Sequence, residues 1–170
     1  LAGRGHLGGS LSVVEILVAL HQSGRVEKLI LSKGHANLAL YSTLSMDVTP
    51  LYGHNGGIGG QLDKPFWPTG SLGHAIGVGA GMAMCGIRTY VIIGDGELEE
   101  GSIWEAISFA GFKGIGNLCV IVDNNGLGVT GPASPFEMNQ VKRFGWDHIE
   151  TDGHNVDVLH DIFHNYPSTH

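Results

Sequence analysis

The stretch Thr89-Tyr90-Val91-Ile92-Ile93-Gly94-Asp95-Gly96-Glu97-Leu98-Glu99-Glu100-Gly101 decides the fold. Its first five residues form a short apolar, β-branched run, the pattern of a strand buried on both faces in a parallel sheet. After Gly101, the segment Ser102-Ile103-Trp104-Glu105-Ala106-Ile107-Ser108-Phe109-Ala110 repeats its apolar positions at helical spacing. Gly94 and Gly96 flank an acid at the strand-to-helix turn, where an open α/β sheet seats its ligand. A second apolar strand, Leu118-Cys119-Val120-Ile121-Val122, then delivers Asp123, Asn124 and Asn125 at its carboxyl end. One crossover joins the two strands, so Asp95 and Asn125 can converge. A carboxylate and an amide oxygen with little sulfur nearby suit a hard cation such as Mg²⁺ or Ca²⁺. Small residues at the turn leave room for a diphosphate. The expected fold is α/β: three layers, with a mostly parallel sheet flanked by helices.

The chain has 170 residues, enough for one domain with a real core, and no linker divides it. Charged residues make up only 15% against 42% hydrophobic, so much of the surface is weakly charged or covered. A net charge of −7 argues against a nucleic-acid partner. Cys85 and Cys119 lie in apolar runs and read as two buried free thiols, with no disulfide framework and a reducing compartment. No stretch approaches 18 uninterrupted apolar residues and no signal-like segment opens the chain, so cytoplasm is the expected setting.

Upstream, Gly5-His6-Leu7-Gly8-Gly9-Ser10 precedes a helix. Ser10 or Ser12 is its expected N-cap, with Glu15 completing a capping box after Ser12, and Val13, Ile16, Leu17 and Leu20 form its apolar face. Lys28-Leu29-Ile30-Leu31 reads as a short strand leading into Ser32-Lys33-Gly34-His35-Ala36 and a helix. The free N–H groups of that strand-to-helix turn favour an anion. Residues 47–68 read as loop. Thr69-Gly70-Ser71-Leu72-Gly73-His74 leads into a helix so rich in Gly and Ala that close packing must offset its poor propensity. Residues 126–132 form a loop able to fold over a metal and diphosphate. Phe144-Gly145-Trp146-Asp147-His148-Ile149-Glu150 reads as a turn and a third short strand, and Thr151-Asp152-Gly153-His154-Asn155 as the cap of a last helix. On that helix His160 and His164 have a metal-binding spacing, but a solvated helix face accounts for them.

Gly-Asp-Gly followed by an Asn 30 positions after the Asp resembles the thiamine diphosphate motif. The longer string Gly94-Asp95-Gly96-Glu97-Leu98-Glu99-Glu100-Gly101-Ser102-Ile103-Trp104-Glu105-Ala106 resembles transketolases in particular, as do Leu31-Ser32-Lys33-Gly34-His35-Ala36 and the Phe144-to-His154 segment. The resemblance implies thiamine diphosphate with Mg²⁺ (Ca²⁺ or Mn²⁺ also acceptable). It makes Asp95 and Asn125 side-chain ligands of the metal and Leu127 a carbonyl ligand. Gly94, Gly96 and Glu97 fall within the cofactor-binding turn, and Gly70 and Leu72 belong to a loop whose backbone meets the thiamine. His35 reaches the diphosphate and the reaction centre, and His6 the substrate channel. Glu100 belongs to a proton relay across a dimer interface. A substrate-side His of the family falls in an imperfectly matched loop, where His54 or Gln61 stands for it.

The family's acid that protonates the aminopyrimidine lies in a pyrimidine-binding domain, and nothing here matches that domain. The resemblance therefore implies a single pyrophosphate-binding domain over residues 1–170, inactive alone. The chain is then either the small subunit of a split transketolase or a fragment of a longer one. In the first, favoured reading a C-terminal transketolase subunit would supply the pyrimidine-binding domain and the catalytic Glu, in a dimer or heterotetramer acting on sugar phosphates. Two other readings stay open: another thiamine-dependent enzyme such as a 1-deoxy-D-xylulose 5-phosphate synthase, against which Trp104 counts, and a non-catalytic scaffold subunit. Against the family pattern the chain is short around Ser23-Gly24, Pro65-Phe66 and Gly86-Ile87 and after Pro167, each where a surface loop is expected.

Overall fold

The computed structural model describes residues 6–43, 66–68, 70–128 and 130–165. Helices α1 (Leu7–Leu11) and α2 (Val14–Ser23) precede strand β1 (Lys28–Leu31) and helix α3 (Asn37–Thr43). Strand β2 (Phe66–Pro68), helix α4 (Ala75–Met84), strand β3 (Thr89–Gly94) and helix α5 (Gly101–Phe112) follow. Strand β4 (Leu118–Asp123) and helix α6 (Val156–Asn165) complete the set, with 3₁₀ turns at Gly34–Ala36, Asp95–Glu99 and Met138–Phe144.

The four strands form one wholly parallel sheet in the order β2-β1-β3-β4. Successive side chains on a strand point to opposite faces, and each face has its own helices. Leu29, Leu31, Tyr90 and Ile92 pack with α2, α3 and α6 through Leu17, Leu20, Leu40 and Phe163. Ile30, Val91 and Ile93 pack with α4 and α5 through Ile76, Ala80, Ile103 and Ile107. The expected three-layer architecture is what forms. α4 can be rich in Gly because it lies close on the sheet: a Cβ on Gly79 would stand 2.7 Å from Val91 Cγ2 and 3.1 Å from Leu118 Cδ1.

Because the strands are parallel and in register, Leu31 beside Ile92 and Gly94 beside Asp123, their carboxyl ends share one edge. The chain leaves β1 for α3 on one face and β3 for α5 on the other. Neighbouring strands whose connections diverge in this way leave a crevice between their ends, the preferred ligand position of open α/β sheets.

Four expectations are corrected. The capping box does not form: α2 begins after Val13 without a side-chain cap, and the Ser12 hydroxyl turns inward instead. Within residues 47–68, Phe66–Pro68 is a strand at the β1 edge, a position where proline is tolerated. Residues 146–150 are not a third strand; Trp146 is tied to α5 by its indole N–H, which donates to the Ile107 carbonyl at 2.8 Å. Cys85 is exposed, just beyond the end of α4, while Cys119 is partly covered and burial pushes its thiol up to about 12. His160 and His164 stack with ring centroids 5.6 Å apart. No group of three or more His, Cys, Asp or Glu able to hold a metal occurs among the described residues.

Candidate active site

Three strand ends build the crevice. From β3 comes Asp95, 4% exposed, whose Oδ1 accepts from the Gly96 N–H at 2.9 Å. Its Oδ2 accepts from the Gly126 N–H at 2.6 Å, which ties the turn after β3 to the loop after β4. Gly126 can turn the chain there because it sits at φ 75°, a conformation other residues rarely adopt. The loop closes on itself: Gly128 N–H donates to Gly131 O at 2.8 Å and Ala133 N–H to Gly126 O at 3.0 Å. A Cβ on Gly96 would lie 3.3 Å from the Leu127 carbonyl oxygen. The missing side chain is what lets that carbonyl pack against the turn after β3 at Gly96. Asn125 is exposed, and its Oδ1 accepts from the Leu127 N–H at 3.0 Å.

This cluster answers whether the chain fits a cation. One carboxylate, one side-chain amide and one backbone carbonyl are all oxygen donors, the set a hard divalent ion takes. Each Asp95 oxygen receives one N–H and keeps further lone pairs. The residues fit.

From β1 comes Ser32-Lys33-Gly34-His35. Lys33 is 3% exposed and forms a buried ion pair with Asp123, whose Oδ2 also accepts from Ser12 Oγ at 2.7 Å and Asn125 Nδ2 at 3.2 Å. Removing one member of such a pair strands the other charge, at a typical cost of about 3–5 kcal/mol. Sequence reasoning missed this network. Its signal was a lysine directly after an apolar strand, where a buried cation needs a counter-charge.

His35 presents an exposed ring and packs against Gly9, where a Cβ would stand 2.7 Å from His35 Cδ2. His6 meets it edge to face, with ring centroids 5.3 Å apart. The His35 pKa lies below its ordinary value, chiefly through the part of the ring that is desolvated, then through the Lys33 and His6 charges. A neutral imidazole is able to accept as well as donate a proton.

Glu97, 2% exposed, sits behind the Gly70-to-Gly73 turn. Its Oε1 accepts from the Ser32 hydroxyl and from the Gly73 N–H at 2.8 Å, while Oε2 is buried with no partner among the described residues. Burial raises its pKa, against the hydrogen bonds of Ser32 and of the Gly73 and Gly94 backbone. Gly70 is exposed and Leu72 half-buried on the same turn, and Ser102 Oγ donates to the Gly73 carbonyl at 3.0 Å. Glu100 is exposed at the start of α5 with no side-chain cap bond. Gly94 ends β3 beside Asp123. His54 and Gln61 lie outside the described residues.

A parallel sheet whose strand ends carry a Gly-Asp-Gly turn and an Asn-bearing loop is the architecture of a thiamine diphosphate-binding domain. Residues 69–166 match the family described as "Transketolase, thiamine diphosphate binding domain". The chain is 34% identical to an apulose-4-phosphate transketolase subunit of Phocaeicola vulgatus, over 98% of this chain and 70% of that one. It is 35% identical to the 6-deoxy-6-sulfo-D-fructose transketolase subunit SqwG of a Clostridium species, over 92% of this chain and 70% of that one. Among solved structures, transketolase from Campylobacter jejuni shares the fold with a TM-score of 0.67 at 19% identity, over 95% of this chain and 35% of the solved one. The chain belongs to the transketolase family and spans about a third of the length of that solved member. Among the described residues no helix is long and apolar enough to cross a membrane.

Proposed function

We propose that this chain is the pyrophosphate-binding subunit of a thiamine diphosphate- and Mg²⁺-dependent transketolase. It would move a two-carbon ketol unit from a ketose or ketose phosphate to an aldose or aldose phosphate. The observation that carries the reading is the tie between the turn after β3 and the loop after β4, where the Gly126 N–H donates to Asp95 and the Asn125-to-Gly128 loop packs on Gly96. Asp95, Asn125 and the Leu127 carbonyl would hold the metal, and Mn²⁺ or Ca²⁺ suits the same donors. When bound, thiamine diphosphate supplies the carbanion-stabilising chemistry that cleaves and forms the carbon–carbon bond.

The chain's own residues do the rest. The Gly94-to-Glu97 turn and the Gly70-to-Leu72 backbone seat the cofactor, with Glu97 holding the second against the first. His35 and His6 face the substrate side and exchange protons with sugar oxygens. His35 would also reach the diphosphate, and His54 or Gln61, outside the described residues, would serve the substrate side. Glu100, exposed at the start of α5, relays protons at an interface between protomers.

Residues 1–170 form one pyrophosphate-binding domain in this reading, and a second chain supplies the pyrimidine-binding half and its catalytic Glu. The Phocaeicola and Clostridium relatives are both named as subunits of a transketolase, which supports that division. The assembly is a dimer or heterotetramer in the cytoplasm.

The test is thermal stability with thiamine diphosphate and Mg²⁺, with and without the protein encoded by the adjacent gene. A rise of several degrees that needs cofactor, metal and partner together is the expected result. It should vanish in Asp95→Ala. Ketol transfer by the isolated chain would sink the split-site reading, and full cofactor affinity in Asp95→Ala would sink the metal assignment.

A further inference from the structure

We propose that Lys33, Ser12 and Asp123 are positioning residues that fix which end of the Asn125 amide faces the cation. The proposal rests on the metal reading above and concerns groups that hold a ligand rather than the ligands themselves.

Asn125 has an oxygen and a nitrogen of similar size on one planar group, and only the oxygen can bind a cation. Two neighbours set its orientation. Asp123 Oδ2 stands 3.2 Å from Nδ2 and can only accept; the Leu127 N–H stands 3.0 Å from Oδ1 and can only donate. A flipped amide would set acceptor against acceptor at one end and donor against donor at the other. Asp123 is therefore the group that reads the amide, provided its carboxylate stays in place.

Lys33 and Ser12 keep it there. The Asp123 side chain is buried with the Lys33 ammonium as its counter-charge, and Ser12 Oγ donates to the same oxygen at 2.7 Å while Lys33 Nζ stands 3.1 Å from Ser12 Oγ. The three come from separate parts of the chain: the α1–α2 junction, the turn after β1 and the end of β4. Lys33 also answers the Asp123 charge, so that this carboxylate does not compete with Asp95 for the cation. The same segments carry His35, two residues beyond Lys33 and packed on Gly9, so the network joins the cation side of the crevice to the histidine side.

The test compares Lys33→Met, Asp123→Asn and the double variant in two measurements. The first, without metal or cofactor, follows the Asn125 side-chain NH₂ by NMR in the full chain, with an Asn125→Asp sample to assign it. The second titrates Mg²⁺ into the chain assembled with its partner and thiamine diphosphate, reading tryptophan fluorescence.

Lys33→Met should shift the Asn125 amide resonances and raise the half-saturating Mg²⁺ concentration at least tenfold. The double variant removes both charges yet leaves residue 123 an amide oxygen to accept from Nδ2. It should fold as the parent does and bring the Mg²⁺ midpoint back to within about threefold. An unchanged amide and midpoint in Lys33→Met overturn the proposal. So does a double variant whose Mg²⁺ midpoint is no better than that of Lys33→Met, because no stranded charge at residue 123 is then left to account for the loss. If the unmodified chain keeps a fixed Asn125 amide but shows no Mg²⁺ dependence, the metal reading falls and takes this inference with it. The amide signal distinguishes that outcome from failure of the network itself.

Discussion

Gly96 and Gly128 face each other so closely that a Cβ on Gly96 would stand 2.7 Å from Gly128 Cα. No side chain can give way at this contact, so relief requires the backbone to move. The contact brings the loop after β4, with its Leu127 carbonyl, onto the turn after β3. Gly96→Ala should therefore push the loop away while leaving the sheet beneath intact. The expected result is at least a tenfold rise in the Mg²⁺ concentration needed for cofactor binding, or about 1.4 kcal/mol. Apo stability should fall by about 1 kcal/mol, since the displaced loop is largely exposed. A normal Mg²⁺ midpoint would remove the loop from the proposed metal site.

Strands β1, β3 and β4 were legible because each is a run of apolar residues with a turn signal behind it, and their shared polarity followed from the intervening helix α5. The convergence of Asp95 with the loop after β4 followed in turn from parallel pairing. What escaped depends on contacts far apart in sequence. Ser12 chooses between a backbone N–H next door and a carboxylate 111 residues away, and no local pattern shows that choice. Phe66–Pro68 is too short for a periodicity and becomes a strand only by pairing with β1. Trp146-Asp147-His148-Ile149-Glu150 has strand-like composition, but Gly145 at φ 88° and the Trp146 tether to α5 carry it elsewhere. Glu97 could be placed in the turn after β3, but the sequence does not show that its hydrogen bonds go to Ser32 and Gly73.

Cys85 and Cys119 stand in similar apolar surroundings in the sequence and differ sharply in the fold. Cys85 is exposed past the end of α4, and Cys119 lies in β4 with its thiol pushed up to about 12 by burial. Thiolate is the reactive form. In the native chain at pH 8, one equivalent of a thiol reagent should react rapidly, at Cys85, and Cys85→Ser should abolish that phase. Cys119 should react only with unfolding. Two fast equivalents would contradict the burial of β4.

Gly111 lies where α5 crosses the Met138–Phe144 turn. A Cβ there would overlap the Phe144 carbonyl oxygen and stand 2.9 Å from Trp146 Cδ1. Elsewhere in an exposed helix, Gly→Ala stabilises by about 0.5–1 kcal/mol through propensity. Here the overpacking term, about 1–3 kcal/mol, has the opposite sign and is larger, because backbone must move. Gly111→Ala should lower the urea midpoint, whereas Gly77→Ala, with open space around its Cβ, should leave it level or raise it. Equal responses at the two positions would show that the α5 contact is not tight.

His35 gives the pH dependence its sign. Its pKa lies below the ordinary value of 6.5, first through desolvation, then through Lys33 and His6, with Asp123 opposing them. Above pH 6.5 the ring is neutral in both folded and unfolded chains and costs nothing. As pH falls through 6.5 the unfolded chain takes up the proton first, so the unfolded state is favoured and stability drops. The loss continues until the lower folded pKa is passed and then levels off. In urea titrations at pH 7.5 and 5.5, the unmodified chain should lose more stability than His35→Gln, which has no proton to gain. The gap between the two chains should move in favour of His35→Gln on acidification. A gap that stays constant, or moves the other way, would mean that the ring is not held neutral beside Lys33, and the assignment of His35 as a proton acceptor near neutrality would fall with it.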